Sequence, residues 1–375
     1  MQDYQGAALP EGIERLWAQY DGCRNEQNGQ RLWQEIWVFG DSLQKAGNLS
    51  AAEGAYLSCC ELASELVQAF GTDAAVRCLG TSYESLGAVL RAEGRFSEAE
   101  AYLKQATAQF GRLIYADQSR AIRKDIRVYT ASLTELGQLY QAQGRFSEAW
   151  KAYQDGMAPR RELFLESGQP VDGINLSFSY QYLAELAEGL KRPVQALLYY
   201  QQAAGLQRRV LTQAQAKLPL PEETLLLVFS DNVMGAIVPL TMYEDYAQAR
   251  EFGERSLPLF RRMAALSNDI FSCRRLSVLL ECLGNICREE GDLNGAAIYY
   301  KECLELRTAL LDKAGENPEL LDDLALIYYN IALKETGNNQ RLLFDRAEKI
   351  WARLAVQYPG EPLYQRRLNL LAGRA

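Results

Sequence analysis

The chain has 375 residues, a net charge of -8 and a sequence pI near 5.0, and 48% of its residues are hydrophobic. This apolar content excludes wholesale disorder, and the acidic balance argues against a general nucleic-acid-binding surface. The sequence contains no histidine, which removes the commonest general base and every histidine-containing metal site.

The N-terminal part of the chain begins without a targeting pattern. Residues 1–10 have no basic stretch followed by an apolar core, so no signal peptide is expected. Residues 11–21 are predicted to form a short helix with Ile13, Leu16 and Trp17 on one face, covering the open edge of whatever follows. The longest apolar run, residues 224–239, is interrupted by polar residues and is too short to cross a bilayer. We therefore expect a cytoplasmic protein that does not bind membranes.

One stretch of sequence occurs twice almost unchanged, as residues 91–102 and again as residues 141–153. Each copy is typical of the end of one helix, a tight turn, and the start of a second helix. Gly94 and Gly144 are predicted to end the first helix in the left-handed conformation. The serine three residues later in each copy is predicted to cap the second helix.

Weaker copies extend this pattern along the chain, which is the signature of a repeat architecture. An alanine anchors each copy, at intervals of 47, 50, 47, 53, 47 and 51 residues: Ala52, Ala99, Ala149, Ala196, Ala249, Ala296 and Ala347. Twelve residues before the anchor, five copies have a small residue: Gly40, Gly87, Gly137, Ala184 and Gly284. Four residues after it, six copies have a large one: Tyr56, Leu103, Tyr153, Tyr200, Tyr300 and Trp351. These offsets predict that the two helices of each hairpin interlock, small residue against large.

The pattern of Leu86-Gly87, Ala99, Leu103 and Ala106 resembles a tetratricopeptide repeat, and two later copies repeat it. The period here exceeds the family's usual one, in the manner of the long arrays of bacterial signalling and defence proteins. The resemblance implies an all-α, right-handed α-solenoid of about seven hairpins with a capping helix at each end. It predicts an N-terminal cap in residues 1–26, repeats in 27–357 and a C-terminal capping helix in 358–375.

The fifth hairpin, residues 222–262, is the irregular one. Pro239 and Pro258 fall inside its two helices, and Ile237 replaces the small residue opposite Ala249. Because an internal proline removes a helix hydrogen bond, we expect a discontinuity here. In the seventh hairpin, the turn is expected to extend over residues 337–341.

The sequence offers little catalytic or metal-binding chemistry. Cys282 and Cys287 lack the spacing of a zinc knuckle, while Cys59 and Cys303 occupy a repeat position that calls for a small buried residue. No glycine-rich phosphate loop is present. We expect no enzymatic activity, no cofactor and no metal, and eight free thiols.

Arginine pairs recur late in the second helices, at residues 160–161, 208–209 and 261–262, with Arg307 in an equivalent place. Two interpretations are open. The guanidinium groups could hold an acidic partner, or they could form ion pairs with neighbouring repeats.

The resemblance implies that a partner binds the concave surface lined by the first helix of each hairpin. In the middle of the array this surface would present Glu135, Gln138, Gln141, Gln181, Tyr182, Glu185, Met234, Glu281, Asn285 and Arg288. The set lacks the lysine-asparagine arrangement with which chaperone-binding relatives clamp a carboxylate. It suits a protein or peptide partner, so we expect a binding scaffold; a receptor for a small signalling peptide and, remotely, an unrecognised enzyme are the alternatives.

Overall fold

A computed structural model describes residues 10–115, 122–213 and 217–372. The expectation that residues 1–9 form no signal peptide therefore lies outside the described residues, as do the last three residues of the expected C-terminal cap. The described residues are all-α and form sixteen helices, which confirms the expected fold class. The first eight are α1 (Glu11–Gly22), α2 (Glu26–Lys45), α3 (Leu49–Phe70), α4 (Asp73–Ala92), α5 (Phe96–Tyr115), α6 (Arg123–Ala142), α7 (Phe146–Ser167) and α8 (Pro170–Gly189). The other eight are α9 (Pro193–Leu211), α10 (Glu222–Met242), α11 (Tyr246–Ser267), α12 (Ile270–Glu289), α13 (Leu293–Ala314), α14 (Pro318–Ala332), α15 (Gly337–Gln357) and α16 (Pro362–Ala372).

Two compact units divide the chain between Leu186 and Ala187, inside α8. In unit 1, the helix pairs α2–α3, α4–α5 and α6–α7 form hairpins, and α1 packs on α2. In unit 2, α10–α11, α12–α13 and α14–α15 form hairpins, and α16 packs on α15. The short helices α1 and α16 thus lie where terminal caps are expected.

The anchor alanines confirm the repeat register, because all seven are at most 1% exposed. The interlock between small and large residues is also present. A methyl group added to Gly137 would lie 2.2 Å from the Tyr153 ring, and one on Gly284 would lie 2.4 Å from the Tyr300 ring. Only a residue without a side chain fits at these two positions, so the glycines set the distance between the paired helices.

The fifth hairpin differs from expectation in an instructive way. Ile237 does stand where five other copies have a small residue, but the partner position four residues after Ala249 is Gly253. A methyl group on Gly253 would lie 3.3 Å from the Ile237 side chain. The small and large residues have changed places, which preserves the close approach that Ile237 was expected to spoil. Both α10 and α11 run through their prolines without interruption.

Two predictions about turns are wrong. Gly94 and Gly144 do adopt positive φ, of 80° and 72°, but Ser147 lies inside α7 and Arg145 is its N-cap residue. Ser97 likewise lies inside α5, which begins at Phe96.

The seventh turn is also shorter than expected. Residues 337–341 belong to α15, and only four residues separate α14 from α15. The Gln340 side chain donates a 3.0 Å hydrogen bond to the Ala332 carbonyl, which satisfies the end of α14.

One described helix, α10, is long and apolar enough to cross a membrane by length and composition alone, with half of its most apolar window buried. Its residues Leu225, Phe229, Val233 and Ile237 are at most 1% exposed within unit 2. Buried core helices of globular proteins meet the same criterion, so this observation is weak support for a membrane span.

Candidate functional site

Successive first helices of unit 1 are joined side by side through arginine–aspartate pairs. Arg77 of α4 holds Asp125 of α6, with Nε–Oδ distances of 2.8 and 3.1 Å. Arg127 of α6 holds Asp172 of α8 bidentately, at 2.7 and 2.9 Å. Both aspartate side chains are 1% exposed. The fork-shaped pair of Arg127 fixes orientation as well as distance. Together the two pairs join α4, α6 and α8 in a common surface that we call the first-helix face of unit 1.

The centre of this face carries carboxylates. Arg91 of α4 donates a 2.6 Å hydrogen bond to Glu135 of α6, in the neighbouring hairpin. Burial raises the pKa of the nearby Glu84 to about 7, and the charge of Glu135 adds to this effect. Glu84 is half-buried, and its neighbour Ser85 provides a weak hydrogen bond of 3.5 Å. At neutral pH, Glu84 is therefore poised between its charged and neutral forms.

An open pocket of about 330 Å³ lies toward the end of α6, and we call it the Tyr182 pocket. Four of the residues expected on the binding surface line it, together with two others: Gln138, Gln141, Tyr182 and Glu185, with Ala142 and Tyr153. The two tyrosine rings are stacked, with their centroids 5.4 Å apart and an interplanar angle of 16°. The structure thus brings these four residues together at one pocket.

Hydrogen bonds fix the walls of the Tyr182 pocket. Tyr153 Oη donates to Gln141 Oε1 at 3.1 Å, and Gln181 donates to Glu185 at 2.8 Å. Burial raises the pKa of Tyr182, and the charges of Glu185 and Glu135 raise it further, while Arg160 and a hydrogen bond from Gln138 oppose them. The tyrosine hydroxyls therefore stay protonated and act as neutral hydrogen-bonding groups.

Met234, expected on the same type of surface, lines a separate pocket in unit 2. This pocket has a volume of about 430 Å³ and is mostly apolar; its lining is Glu188, Pro193, Met234, Gly235, Val238, Pro239, Met242 and Tyr243. Val238 and Met242 are 46% and 77% exposed. Met234, Val238 and Met242 recur every four residues, so they form one apolar stripe along α10.

Three predicted binding residues of α12 serve packing instead. Glu281 is 7% exposed and accepts hydrogen bonds from Arg307 at 2.5 Å and from Asn330 at 2.6 Å. Its carboxylate is therefore occupied inside unit 2, and the expectation that it faces a partner is wrong. Asn285 accepts from the Tyr300 hydroxyl at 2.7 Å, while Arg288 pairs with Glu289 at 2.7 Å; both remain half-buried at the surface.

Four of the arginines that recur late in the second helices have internal partners. Arg307 is 1% exposed and also donates to the Asp323 carbonyl, at 2.6 Å. Arg261 holds Glu302 bidentately, and Arg262 pairs with Glu222. Arg160 is buried against neutral acceptors, the Ser179 hydroxyl at 2.5 Å and the Thr130 carbonyl at 2.9 Å. Burial lowers the pKa of Arg160 to about 10.

Cys59 and Cys303 are buried, as their repeat position predicts, and both are 0% exposed. All eight cysteines are free. Burial raises the pKa of Cys282 and of Cys303 to about 12, which keeps both thiols protonated. No cluster of three or more potential metal ligands occurs within residues 10–115, 122–213 and 217–372.

Sequence reasoning missed two contributors to the site. Tyr153 was assigned only to the interlock with Gly137, although its ring also forms a wall of the Tyr182 pocket. Glu84 was missed altogether. Glu84 precedes Gly87 by the same number of residues as Glu281 precedes Gly284, and this repetition is the signal that the sequence offers.

Comparisons with known proteins agree with this architecture. Two family models described as tetratricopeptide repeat match residues 79–108 and 279–314. A search of curated proteins finds no significant match.

Among solved structures, the Schizosaccharomyces pombe nuclear import adaptor Nro1 is similar at 11% identity and a TM-score of 0.60, covering 80% of this chain and 99% of its own. A Pyrococcus horikoshii signal transduction ATPase with a tetratricopeptide repeat sensor, PH0952, matches at 13% identity and a TM-score of 0.50, over 91% of this chain and 46% of that one. The C-terminal part of a tetratricopeptide repeat protein from Cytophaga hutchinsonii matches at 12% identity and a TM-score of 0.47, over 88% and 99% of the two chains. The chain therefore contains tetratricopeptide repeats, at residues 79–108 and 279–314. Repeats of this class commonly mediate protein binding.

Proposed function

We propose that the chain is a non-enzymatic scaffold that binds an extended peptide or protein segment on the first-helix face of unit 1. The observation that carries the proposal is the Tyr182 pocket, where side chains from α6, α7 and α8 converge on open space. Extended segments bind such surfaces through side-chain pockets, with polar groups fixing their register. The glutamines and tyrosines of this pocket supply donors and acceptors at neutral charge.

The apolar pocket of unit 2 supports the same function with a different chemistry. Exposed methionines adapt to varied apolar side chains, and an exposed apolar stripe commonly marks a binding surface. A cytoplasmic protein partner, without nucleic acid or membrane, fits the net charge of -8.

The proposal is tested by affinity capture from a lysate of the source organism, with quantitative mass spectrometry. Three baits are compared: wild type, the double variant Gln138→Ala/Tyr182→Ala, and the control Glu61→Gln on the exposed side of α3. We expect a partner that wild type and the control retain equally and that the double variant loses by tenfold or more, on the order of the effect of removing a binding hot spot. Equal capture by all three folded baits would refute binding at this face.

A further inference from the structure

The Tyr182 pocket offers a flat aromatic wall beside open space. Tyr153 is 3% exposed and backs the ring of Tyr182, which is only half-buried. The stack fixes the orientation of the Tyr182 ring, because its partner cannot move within the hairpin packed against Gly137. A planar group entering the pocket therefore meets a pre-oriented π face.

One carboxylate lines the pocket and a second lies near it. Glu185 lines the pocket, and Glu135 lies close enough that its charge raises the pKa of both tyrosines. Two arginines oppose these carboxylates. Arg91 is hydrogen-bonded to Glu135, and the guanidinium of Arg160 is directed at Thr130 and Ser179.

The chain itself repeatedly places a guanidinium over an aromatic ring and beside a carboxylate. Within the described residues, four arginines combine a ring contact with an ion pair: Arg24 with Tyr20 and Asp21, Arg145 with Tyr140 and Glu100, Arg275 with Phe271 and Asp231, and Arg367 with Trp351 and Asp322. The closest guanidinium lies 4.3 Å from its ring centroid. The ring of Tyr182 and the carboxylate of Glu185 offer the same pair of partners at a pocket open to solvent.

We propose that the Tyr182 pocket recognises an arginine side chain of the bound segment, which stacks on Tyr182 and neutralises the carboxylate side of the pocket. This inference rests on the proposed function and names the chemistry of its partner. A guanidinium suits the site better than an ammonium because it is planar, more weakly hydrated and able to stack.

The test begins with selection of binding peptides from a random display library on immobilised wild-type protein. Enriched peptides are synthesised with a fluorophore, and their Kd values are measured by fluorescence anisotropy. Each arginine is replaced in turn by citrulline, a neutral isostere, and by lysine. Every peptide is measured on wild type, on Tyr182→Leu and on Glu185→Gln. Two controls away from the pocket are Tyr115→Leu and Glu61→Gln.

We expect enriched peptides to share one arginine whose replacement by citrulline weakens binding to wild type on the order of tenfold, with lysine in between. That loss should shrink severalfold on Tyr182→Leu and on Glu185→Gln, and it should persist on both controls. This comparison cancels any general loss of affinity, because both peptides are measured on the same variant.

Three results would overturn the inference: enriched peptides without a basic residue, lysine binding as tightly as arginine, or a citrulline effect that is equal on wild type and Tyr182→Leu. In each of these cases the proposed scaffold function would stand if binding still depended on Gln138 and Tyr182. If no enriched peptide depends on the first-helix face at all, the proposed function fails together with this inference.

Discussion

At the scale of single residues, each hairpin depends on a few positions where size is strictly limited. Ala149 is 0% exposed between the two helices of its hairpin, at the level of the close contact between Gly137 and Tyr153. We expect Ala149→Glu to destabilise the protein by several kcal/mol, since it buries an unpaired carboxylate where no space exists. Thermal unfolding measures the effect, and a midpoint equal to wild type would mean that the repeat register is wrong.

A buried ion pair is sensitive to the loss of either partner. Removing one partner of such a pair leaves the other charge uncompensated. Glu281→Gln should therefore lower the free energy of unfolding by about 3 kcal/mol, because Arg307 would stay buried without its charged partner. The matched control is Glu302→Gln, on the same helix as Arg307. The ion pair between Glu302 and Arg261 is partly exposed, so its loss should lower the free energy of unfolding by less than about 1 kcal/mol. Equal losses in urea denaturation would argue against a structural role for Glu281.

Glu84 should make stability depend on pH. Its pKa in the folded protein, about 7, lies above its ordinary value of 4.5, so unfolding releases a proton between these pH values. The stabilising contribution of the neutral form is thus complete below pH 4.5 and is lost as the pH rises through 7.

Glu84→Gln keeps the neutral form at every pH. We expect it to be more stable than wild type by about 1–2 kcal/mol at pH 8, since Glu84 is only half-buried, and indistinguishable from wild type at pH 4. Denaturation at both pH values, with Glu61→Gln as the exposed control, measures the difference. A gain of the same size at pH 4 would contradict the assigned pKa.

At the scale of helices, the sequence predicts the hairpins well because each one repeats the same local pattern. The anchor alanines and glycine turns are set by neighbours within about twenty residues. The error at Glu281 concerns contacts that lie beyond the reach of a local pattern. Glu281 is held by Arg307 and Asn330, 26 and 49 residues away, and such pairs leave no local signature.

The exchange of sizes between Ile237 and Gly253 was missed for a related reason. A pattern that assigns the small residue to the first helix treats Ile237 as a defect. Here the large side chain of Ile237 faces a glycine, so the reversed order of sizes still lets the two helices approach.

The fifth hairpin should nevertheless be the least protected part of the described helices. Pro239 and Pro258 each remove an amide donor from the helix in which they lie. In native-state hydrogen exchange, we expect the amides of residues 230–262 to exchange faster than those of α4 and α5, which contain no proline. Uniform protection would mean that packing around Ile237 and Gly253 compensates fully for both prolines.

At the scale of the whole molecule, the two compact units carry pockets of different chemistry on their first helices. The pocket of unit 1 is polar and flanked by carboxylates, while that of unit 2 is apolar and rich in methionine. The first could be anticipated from the sequence because the repeat pattern identifies the outward positions of α6 and α8. Its ligand chemistry could not, since it depends on the stacking of Tyr153 against Tyr182.

The central claim is that a partner segment lies on the first-helix face of unit 1, and photo-crosslinking tests it most directly. A photoreactive amino acid is placed at Gln138 in one sample and at Glu61, on the exposed side of α3, in the other, within otherwise native protein in cells of the source organism. The account predicts a discrete crosslinked partner from position 138 that position 61 does not yield, and that Tyr182→Ala removes. Crosslinking of the same partner from position 61 alone, or undiminished crosslinking with Tyr182→Ala, would contradict it.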